Sequence, residues 1–516
     1  MHCRKPGGAN LNANASFAEE TGGFPVILDR SSGTEDLSAT LDFLLRQRAA
    51  DNPDGLAVAD PGDRPVFTDG VPRRLTWASL DAEADRLACS LQQLGLRQDA
   101  VVGLQLPNTV ELAIAFFGVL RAGGIAAMLP LAWRRAEIAQ ALARVGAKAA
   151  ISMARSGPTQ QSEVLCYAAA DVFALRFLLA FGRRVPDGVI SIDELPVEGA
   201  LEEVTRSEPS ADHVGVITFD AAADGFVPVP RSHRQLVAAA GAHLAATQIK
   251  QRDILLTGIL GSSLAGLATG LLSALVSGAG LVLHQPFSSR VFAGAVVTEA
   301  VTHAVLPGAA LAALAQTGRF GARPLRSVTA LWRTGEPPQA LPPALPKTAH
   351  ALAFGETALT ILPEDAALEE PFAFAEGIEA KRGSDGCLHL RGAMIPQTPL
   401  PGGYENTGAD YDGWVSTGLP ATPRSNLFAL ESARPGVLRV GGLSFCEGAA
   451  RALVAEALGC PENAVRTVSD PLFGRQFSTP DQPASAAEAI LTEAGISPAL
   501  FPDRRPEAAA PHARVA

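Results

Sequence analysis

The stretch Val101-Val-Gly-Leu-Gln-Leu-Pro-Asn-Thr-Val-Glu-Leu-Ala-Ile-Ala-Phe-Phe-Gly-Val-Leu-Arg-Ala-Gly-Gly-Ile-Ala-Ala-Met-Leu129 decides the fold. Its first six residues form a short apolar run of strand length. Asn108 then offers a helix N-cap, with Glu111 three residues later in the capping-box position. Gly123-Gly124 closes the helix, and Ile125-Ala-Ala-Met-Leu is a second strand. Strand, helix and strand in this order make a right-handed crossover between parallel strands. The pattern repeats: Ala136 to Val145 reads as an amphipathic helix, Gly146 stops it, and Ala149-Ala-Ile-Ser-Met is the next strand. Such a sheet gathers ligands at the carboxyl ends of its strands.

Outward from this unit, alternating strands and helices begin near Thr34, and 516 residues at 47% hydrophobic content can build more than one unit. The formal charge of -11 leaves no basic footprint for nucleic acid, so small molecules or proteins are the expected partners. Six scattered cysteines without a C-x-x-C pair argue against a zinc site or a disulfide framework and fit a reducing cytoplasm. Leu255 to Leu283 carries no charge and contains Gly266-x-x-x-Gly270, which matches a membrane span in length. Glycines at 258, 261, 266, 270, 278 and 280 interrupt it, and Ser277-Gly-Ala-Gly280 before Leu-Val-Leu reads instead as helix, turn and buried strand. No transmembrane span is therefore expected. Gly335 to Pro346 is too proline-rich for a regular element and reads as a surface or site loop. The expected division is a loose polar leader over 1–34, a large domain over 35–430, a small domain over 431–503 and a disordered tail over 504–516. The fold class is α/β: a large N-terminal domain of parallel and mixed sheets flanked by helices, plus a small, shortened α+β C-terminal domain.

Several segments, in matching order, resemble landmarks of the adenylate-forming (AMP-binding) superfamily, nearest to acid–CoA ligases. They are Leu41-Asp-Phe-Leu, Leu75-Thr-Trp-Ala-Ser-Leu, Leu106-Pro-Asn-Thr-Val-Glu and Arg121-Ala-Gly-Gly. Next comes Ile217-Thr-Phe-Asp-Ala-Ala-Ala-Asp-Gly-Phe-Val-Pro-Val-Pro-Arg-Ser-His233, where the family carries its phosphate loop. Phe354-Gly-Glu-Thr-Ala358, Trp414-Val-Ser-Thr-Gly-Leu419 and Val437-Leu-Arg-Val-Gly-Gly442 follow. The resemblance implies ATP-dependent activation of a carboxylic acid to an acyl-adenylate and capture on a thiol. ATP, Mg²⁺ and CoA would be the cofactors, and an apolar carboxylic acid or its acyl-CoA the small-molecule partner. A homodimer or a protein partner stays open. Nucleotide-binding positions carried over by resemblance are Asp220, Asp224, Gly225, Gly335, Glu336, Pro337, Phe354, Gly355, Glu356, Thr357 and Thr417. Thr357 and His233 are the best retained positions where chemistry is done, although a structural role suits His233 better. Ser263 and Gly266 fall at the acyl pocket, Ser263 standing where many such ligases place a gating histidine. Trp332 and Phe354 flank the loop that resembles the adenine wall, with aromatic packing as the ordinary role of both.

The departures fall on one site. The loop has Ala221, Ala222 and Ala223 where hydroxyls would face phosphate oxygens, with Asp220 and Asp224 beside them. A like charge about 4 Å away costs roughly 1 kcal/mol in water and roughly 4 kcal/mol at a protein-like dielectric. These carboxylates either meet the phosphates through Mg²⁺ or decorate a turn that binds nothing. Ala358 replaces the metal-linked glutamate, Leu419 the ribose aspartate and Gly436 the hinge aspartate; Ala433 or Arg434 aligns with the preceding arginine. Lys381 is the last lysine, so the family's C-terminal lysine has no counterpart. A preorganised group facing developing charge contributes roughly a hundredfold to a thousandfold in rate. Two readings follow: an acyl-CoA synthetase-like protein with an altered or impaired ATP site, or a catalytically inactive pseudoenzyme binding acyl-CoA, nucleotide or a protein partner.

Overall fold

The computed structural model describes residues 39–501, apart from 196–209, 224, 286, 317–324, 335–340, 342–344, 363–373, 375–376, 398–399, 401–408, 411, 425–426, 432, 471–473 and 480–483. The leader 1–34, the tail 504–516, Asp224 and the Gly335-Glu336-Pro337 loop lie outside the described residues.

The two parallel strands read from sequence are Val101–Gln105 and Ile125–Met128, joined by the helix Val110–Arg121. They sit inside a seven-stranded sheet that ends with Val214–Ala222 and Gly225–Ser232, its one antiparallel pair. A second sheet of eight strands is parallel through its centre, where Ile254–Thr257 lies between Gly280–Leu283 and His303–Pro307. Its ends are antiparallel, one of them formed by Lys347–Phe354 with Ala358–Leu362. All twelve residues of the helix Val110–Arg121 are buried, because it touches strands of both large sheets and packs tightly on the helix Trp77–Gln93. Helix Arg135–Arg144 and strand Ala149–Met153 follow as expected.

The N-cap differs from the sequence reading. The helix begins after Thr109, whose own side chain makes no capping bond; the Val110 N–H donates instead to Asp60 Oδ1 at 2.8 Å. Asn108 is instead drawn into tertiary contacts: its backbone N–H donates to Gln285 Oε1 at 2.7 Å and its Nδ2 to the Ile259 carbonyl at 3.0 Å. Glu111 leaves the cap to accept from Arg64 Nη2 at 2.7 Å. Arg64 also pairs with Asp60, so the buried guanidinium has carboxylates on two sides.

The uncharged run resolves into strand Ile254–Thr257, helices Leu264–Thr269 and Leu271–Ser277, and strand Gly280–Leu283. Among the described residues no helix is long and apolar enough to cross a membrane. Two smaller antiparallel sheets complete the chain. One holds Ile378–Arg382, Cys387–Gly392, Val415–Arg424 and Leu427–Leu430; the other holds Leu443–Cys446, Val437–Val440, Gly474–Ser478 and Arg466–Asp470. The helices Glu447–Leu458 and Ala484–Glu493 accompany this last sheet, giving the small α+β unit. The fold is α/β with a large N-terminal part of mixed sheets, as the alternating pattern implies.

Candidate functional site

The hairpin Val214–Ala222 and Gly225–Ser232 carries the loop that resembles a phosphate loop, and its strands stay paired up to Ala222 and Gly225. Asp220 therefore belongs to a strand and is buried, contrary to its reading as part of a surface turn. A lone carboxylate in such a strand needs partners, and the chain supplies three. Asp220 Oδ1 accepts from the Ala221 N–H at 2.8 Å, Oδ2 accepts from the Glu356 N–H at 3.1 Å, and Arg434 Nη1 pairs with Oδ2 at 3.1 Å. Burial works against the charge, but Arg434, Arg439 and the two amides outweigh it and hold the carboxyl below its ordinary value. Gly355 makes the approach possible. Its φ is 58°, and a Cβ there would stand 2.2 Å from Asp220 Oδ2, so the segment resembling Tyr-Gly-x-Thr-Glu can close onto the aspartate only through glycine.

Arg231 lies on the returning strand and is buried. Its Nη1 donates to Thr218 Oγ1 at 3.2 Å, and its Nη2 donates to the carbonyls of Glu356 and Thr357. Burial lowers its pKa to about 10, with Glu356 and Asp220 opposing. Glu356 Oε2 in turn accepts from the Leu264 N–H at 2.6 Å, at the start of helix Leu264–Thr269. Burial pushes the Glu356 carboxyl up to about 7, with the Asp220 charge adding to the shift and the Leu264 amide, Arg333 and Arg231 opposing it. The same helix holds both acyl-pocket candidates. Ser263 is its N-cap, accepting from the Gly266 N–H at 3.1 Å, and a Cβ at Gly266 would stand 1.9 Å from the Leu260 carbonyl oxygen.

The remaining positions are structural in their contacts. Thr417 is buried and donates to the Leu388 carbonyl at 2.9 Å, while its own carbonyl accepts from Arg434 Nε at 2.9 Å. Leu419 and Ala358, at the places of the ribose and metal carboxylates, are wholly buried in strands. Phe354 packs on Phe374 at 5.2 Å between ring centres, and Trp332 donates through Nε1 to His350 at 3.2 Å. His233 opens the helix His233–Thr247, and its Nδ1 accepts from the Leu41 N–H at 3.3 Å. Burial, with His213 adding, depresses its pKa to about 4, so it is neutral at pH 7 and ties the first helix to the sheet.

The structure thus brings Asp220, Gly355, Glu356, Thr357 and Thr417 together around Arg231 and Arg434. Ser263 and Gly266 join them through the Glu356 carboxylate, while His233 stands apart in the first turn of its helix, just past the end of strand Gly225–Ser232. Sequence reasoning missed Arg231 and left Arg434 ambiguous. The available signal was an arginine in an apolar strand, where a buried charge requires a counter-charge. These residues do not fit Mg²⁺. Asp220 is engaged by Arg434 and two amides, Ala358 offers no oxygen, and among the described residues no cluster of three His, Cys, Asp or Glu side chains could hold a metal ion.

The AMP-binding enzyme family matches residues 46–358. A salicyl-AMP ligase/salicyl-S-ArCP synthetase of Mycobacterium tuberculosis is 46% identical over 99 residues, which cover 19% of this chain and 17% of that enzyme. 4-Coumarate-CoA ligase 1 of Narcissus pseudonarcissus is 26% identical over 231 residues, covering 44% of this chain and 41% of the ligase. The matched stretches thus span less than half the length of either relative. Among solved structures, the amide bond synthetase McbA from Marinactinospora thermotolerans superposes with a TM-score of 0.69 at 17% identity, over 90% of this chain and 94% of that one. Apo MbtA from Mycobacterium smegmatis superposes with a TM-score of 0.63 at 21% identity, over 90% of both chains. A shared fold at this identity and a match over more than half of the sequence agree with the order of segments along the chain: this protein belongs to the AMP-binding enzyme family.

Proposed function

We propose that this chain is an acyl-CoA synthetase-like protein with an impaired ATP site, which binds a carboxylic acid or its acyl-CoA without activating the acid. The observation that carries the reading is the Asp220–Arg434 pair in the loop that would receive phosphates. A triphosphate entering there meets a buried carboxylate and must take the arginine away from it, which leaves Asp220 uncompensated at a cost of about 3–5 kcal/mol. Buried Leu419 and Ala358 support the same reading, since neither can accept a hydrogen bond from ribose or ligate a metal. Scattered free cysteines support a reducing, cytoplasmic setting. A slow ligase is the second reading. It is favoured by Glu356, whose carboxyl near pH 7 can take a proton beside the retained Thr357.

Acid-dependent exchange between ATP and pyrophosphate, run with octanoate, palmitate, benzoate and salicylate, separates the two. The expected result is no exchange above the no-acid background, together with a rise in melting temperature with CoA, octanoyl-CoA or benzoyl-CoA. Exchange with any of these acids establishes the slow ligase. A melting temperature unmoved by CoA and by both of its thioesters removes the binding half of the proposal.

A further inference from the structure

An edge strand offers unpaired N–H and C=O groups to any chain that can lie along it, so sheet edges in folded proteins are kept short, charged or covered. Most edges here follow that rule. Arg74–Thr76 and Ile190–Ser191 are three and two residues long, Ala358–Leu362 is buried along its whole length, and Ile378–Arg382 carries Glu379, Lys381 and Arg382. Arg466–Asp470 is different. It is the outer strand of the last sheet and pairs on one side with Gly474–Ser478, in an unbroken register from Arg466 opposite Ser478 to Asp470 opposite Gly474. It holds no proline and no bulge, and Arg466, Val468 and Ser469 are exposed, Val468 at 37%. Among the described residues no further strand pairs with its outer side. The apolar face of this sheet is already taken up, since Leu438 and Phe445 share a core with Trp133 and Phe226, so the edge is what remains for a partner.

The strand is also held ready. Arg451 Nη2 donates to Glu447 Oε1 at 2.7 Å and to Thr467 Oγ1 at 3.0 Å, and Thr467 Oγ1 donates to Glu447 Oε1 at 2.8 Å. Its first turn of chain is therefore fixed before anything binds, which lowers the ordering cost of association. A cavity of about 740 Å³, with Glu462, Asn463, Arg466 and Thr467 in its lining, opens beside the same end and leaves room for an incoming chain.

The sequence of the strand selects the partner. Arg466-Thr467-Val468-Ser469-Asp470 is its own complement when laid antiparallel to a second copy about Val468. Val468 then faces the partner's Val468, Thr467 the partner's Ser469 and Arg466 the partner's Asp470. These are an apolar pair, a pair of small hydroxyl side chains and a pair of opposite charge. Moving the axis by one residue either way sets Val468 against Asp470 or against Arg466, and the match is lost. We infer that Arg466–Asp470 is a dimer-forming edge, at which two copies of this chain join their four-stranded C-terminal sheets into one continuous antiparallel sheet about a two-fold axis at Val468. The inference holds whether or not the chain activates an acid. A strand of this length makes a small interface, so the dimer is weak, with a dissociation constant on the order of 10 µM.

Sedimentation velocity of the full chain, from about 1 µM to about 200 µM, tests it. The wild type is expected to pass from monomer to dimer across this range. Val468→Lys sets two ammonium groups against each other on the axis, and Val468→Glu does the same with two carboxylates, so each is expected to weaken the dimer by about tenfold or more. An equimolar mixture of the two variants sets Lys against Glu and is expected to recover the dimer, a response that a misfolded variant cannot give. A wild type that stays monomeric at about 200 µM overturns the inference. A dimer that neither variant weakens, or a mixture that associates no better than either variant alone, overturns it as well.

Discussion

Leu419 stands where the family's pattern has an aspartate, and its surroundings have been rebuilt to suit it. The side chain is wholly buried on a strand whose inward positions Val415, Thr417, Leu419 and Ala421 alternate with half-buried ones. Leu419→Asp is therefore expected to destabilise the protein by more than about 3 kcal/mol, from an unpaired buried carboxylate, without creating nucleotide binding. Urea unfolding midpoints and an ATP titration of the same variant check both parts. The loss of the motif was legible in the sequence, because an aliphatic side chain cannot grip a ribose. That the vacancy had been filled was not, since burial depends on residues far along the chain. Asp220 shows the same limit. The sequence places it on the right loop, but only the fold brings Arg434, 214 residues later, to its side.

Helix Val110–Arg121 is the element on which both large sheets lean, and its polar residues are held from outside it. Arg64 pairs with Glu111 and Asp60, and Asp60 also accepts from the Val110 N–H at 2.8 Å, so one buried network fixes the helix start. Arg64→Met is expected to cost about 3–5 kcal/mol by leaving two buried carboxylates without their guanidinium, a loss read as a lower thermal midpoint. This explains how the sequence reading found the helix and misplaced its cap. Hydrophobic periodicity and the closing Gly123-Gly124 are local and survive any context. Asn108 and Glu111 form a plausible capping box, but Ile259, Gln285 and Arg64 compete for the same side-chain groups and win. The run from Leu255 to Leu283 was legible for the converse reason: its glycines and its length set strand and helix breaks that no partner alters.

At the scale of the whole molecule, buried titratable groups set a pH dependence. His233, His243 and His284 have pKa values depressed by burial to about 4, 3 and 4. Each contributes stability that is complete above the unfolded value of 6.5 and is lost as pH falls towards the folded one, on the order of 3 kcal/mol apiece. Glu356 runs the other way. With its folded value raised to about 7, its contribution is complete below 4.5 and is lost as pH rises through 7. Unfolding midpoints measured from pH 4 to pH 8 are expected to peak between about 5 and 7. Glu356→Gln should remove a loss that accumulates between pH 4.5 and pH 7, on the order of 3 kcal/mol in all, and leave the midpoint without a fall above pH 6.5. A midpoint that rises steadily to pH 8 in the wild type contradicts this assignment for Glu356.

The core shared between the seven-stranded sheet and the last sheet also has a consequence for biosynthesis. Trp133, Phe219 and Phe226 leave the ribosome more than two hundred residues before Leu438, and more than two hundred and fifty before Leu491 and Phe501 cover them. At about 5–20 residues per second, that apolar face stays uncovered for roughly ten seconds or longer in every nascent chain. It is the surface on which a chaperone would find its hold and on which stalled or truncated chains would associate with one another.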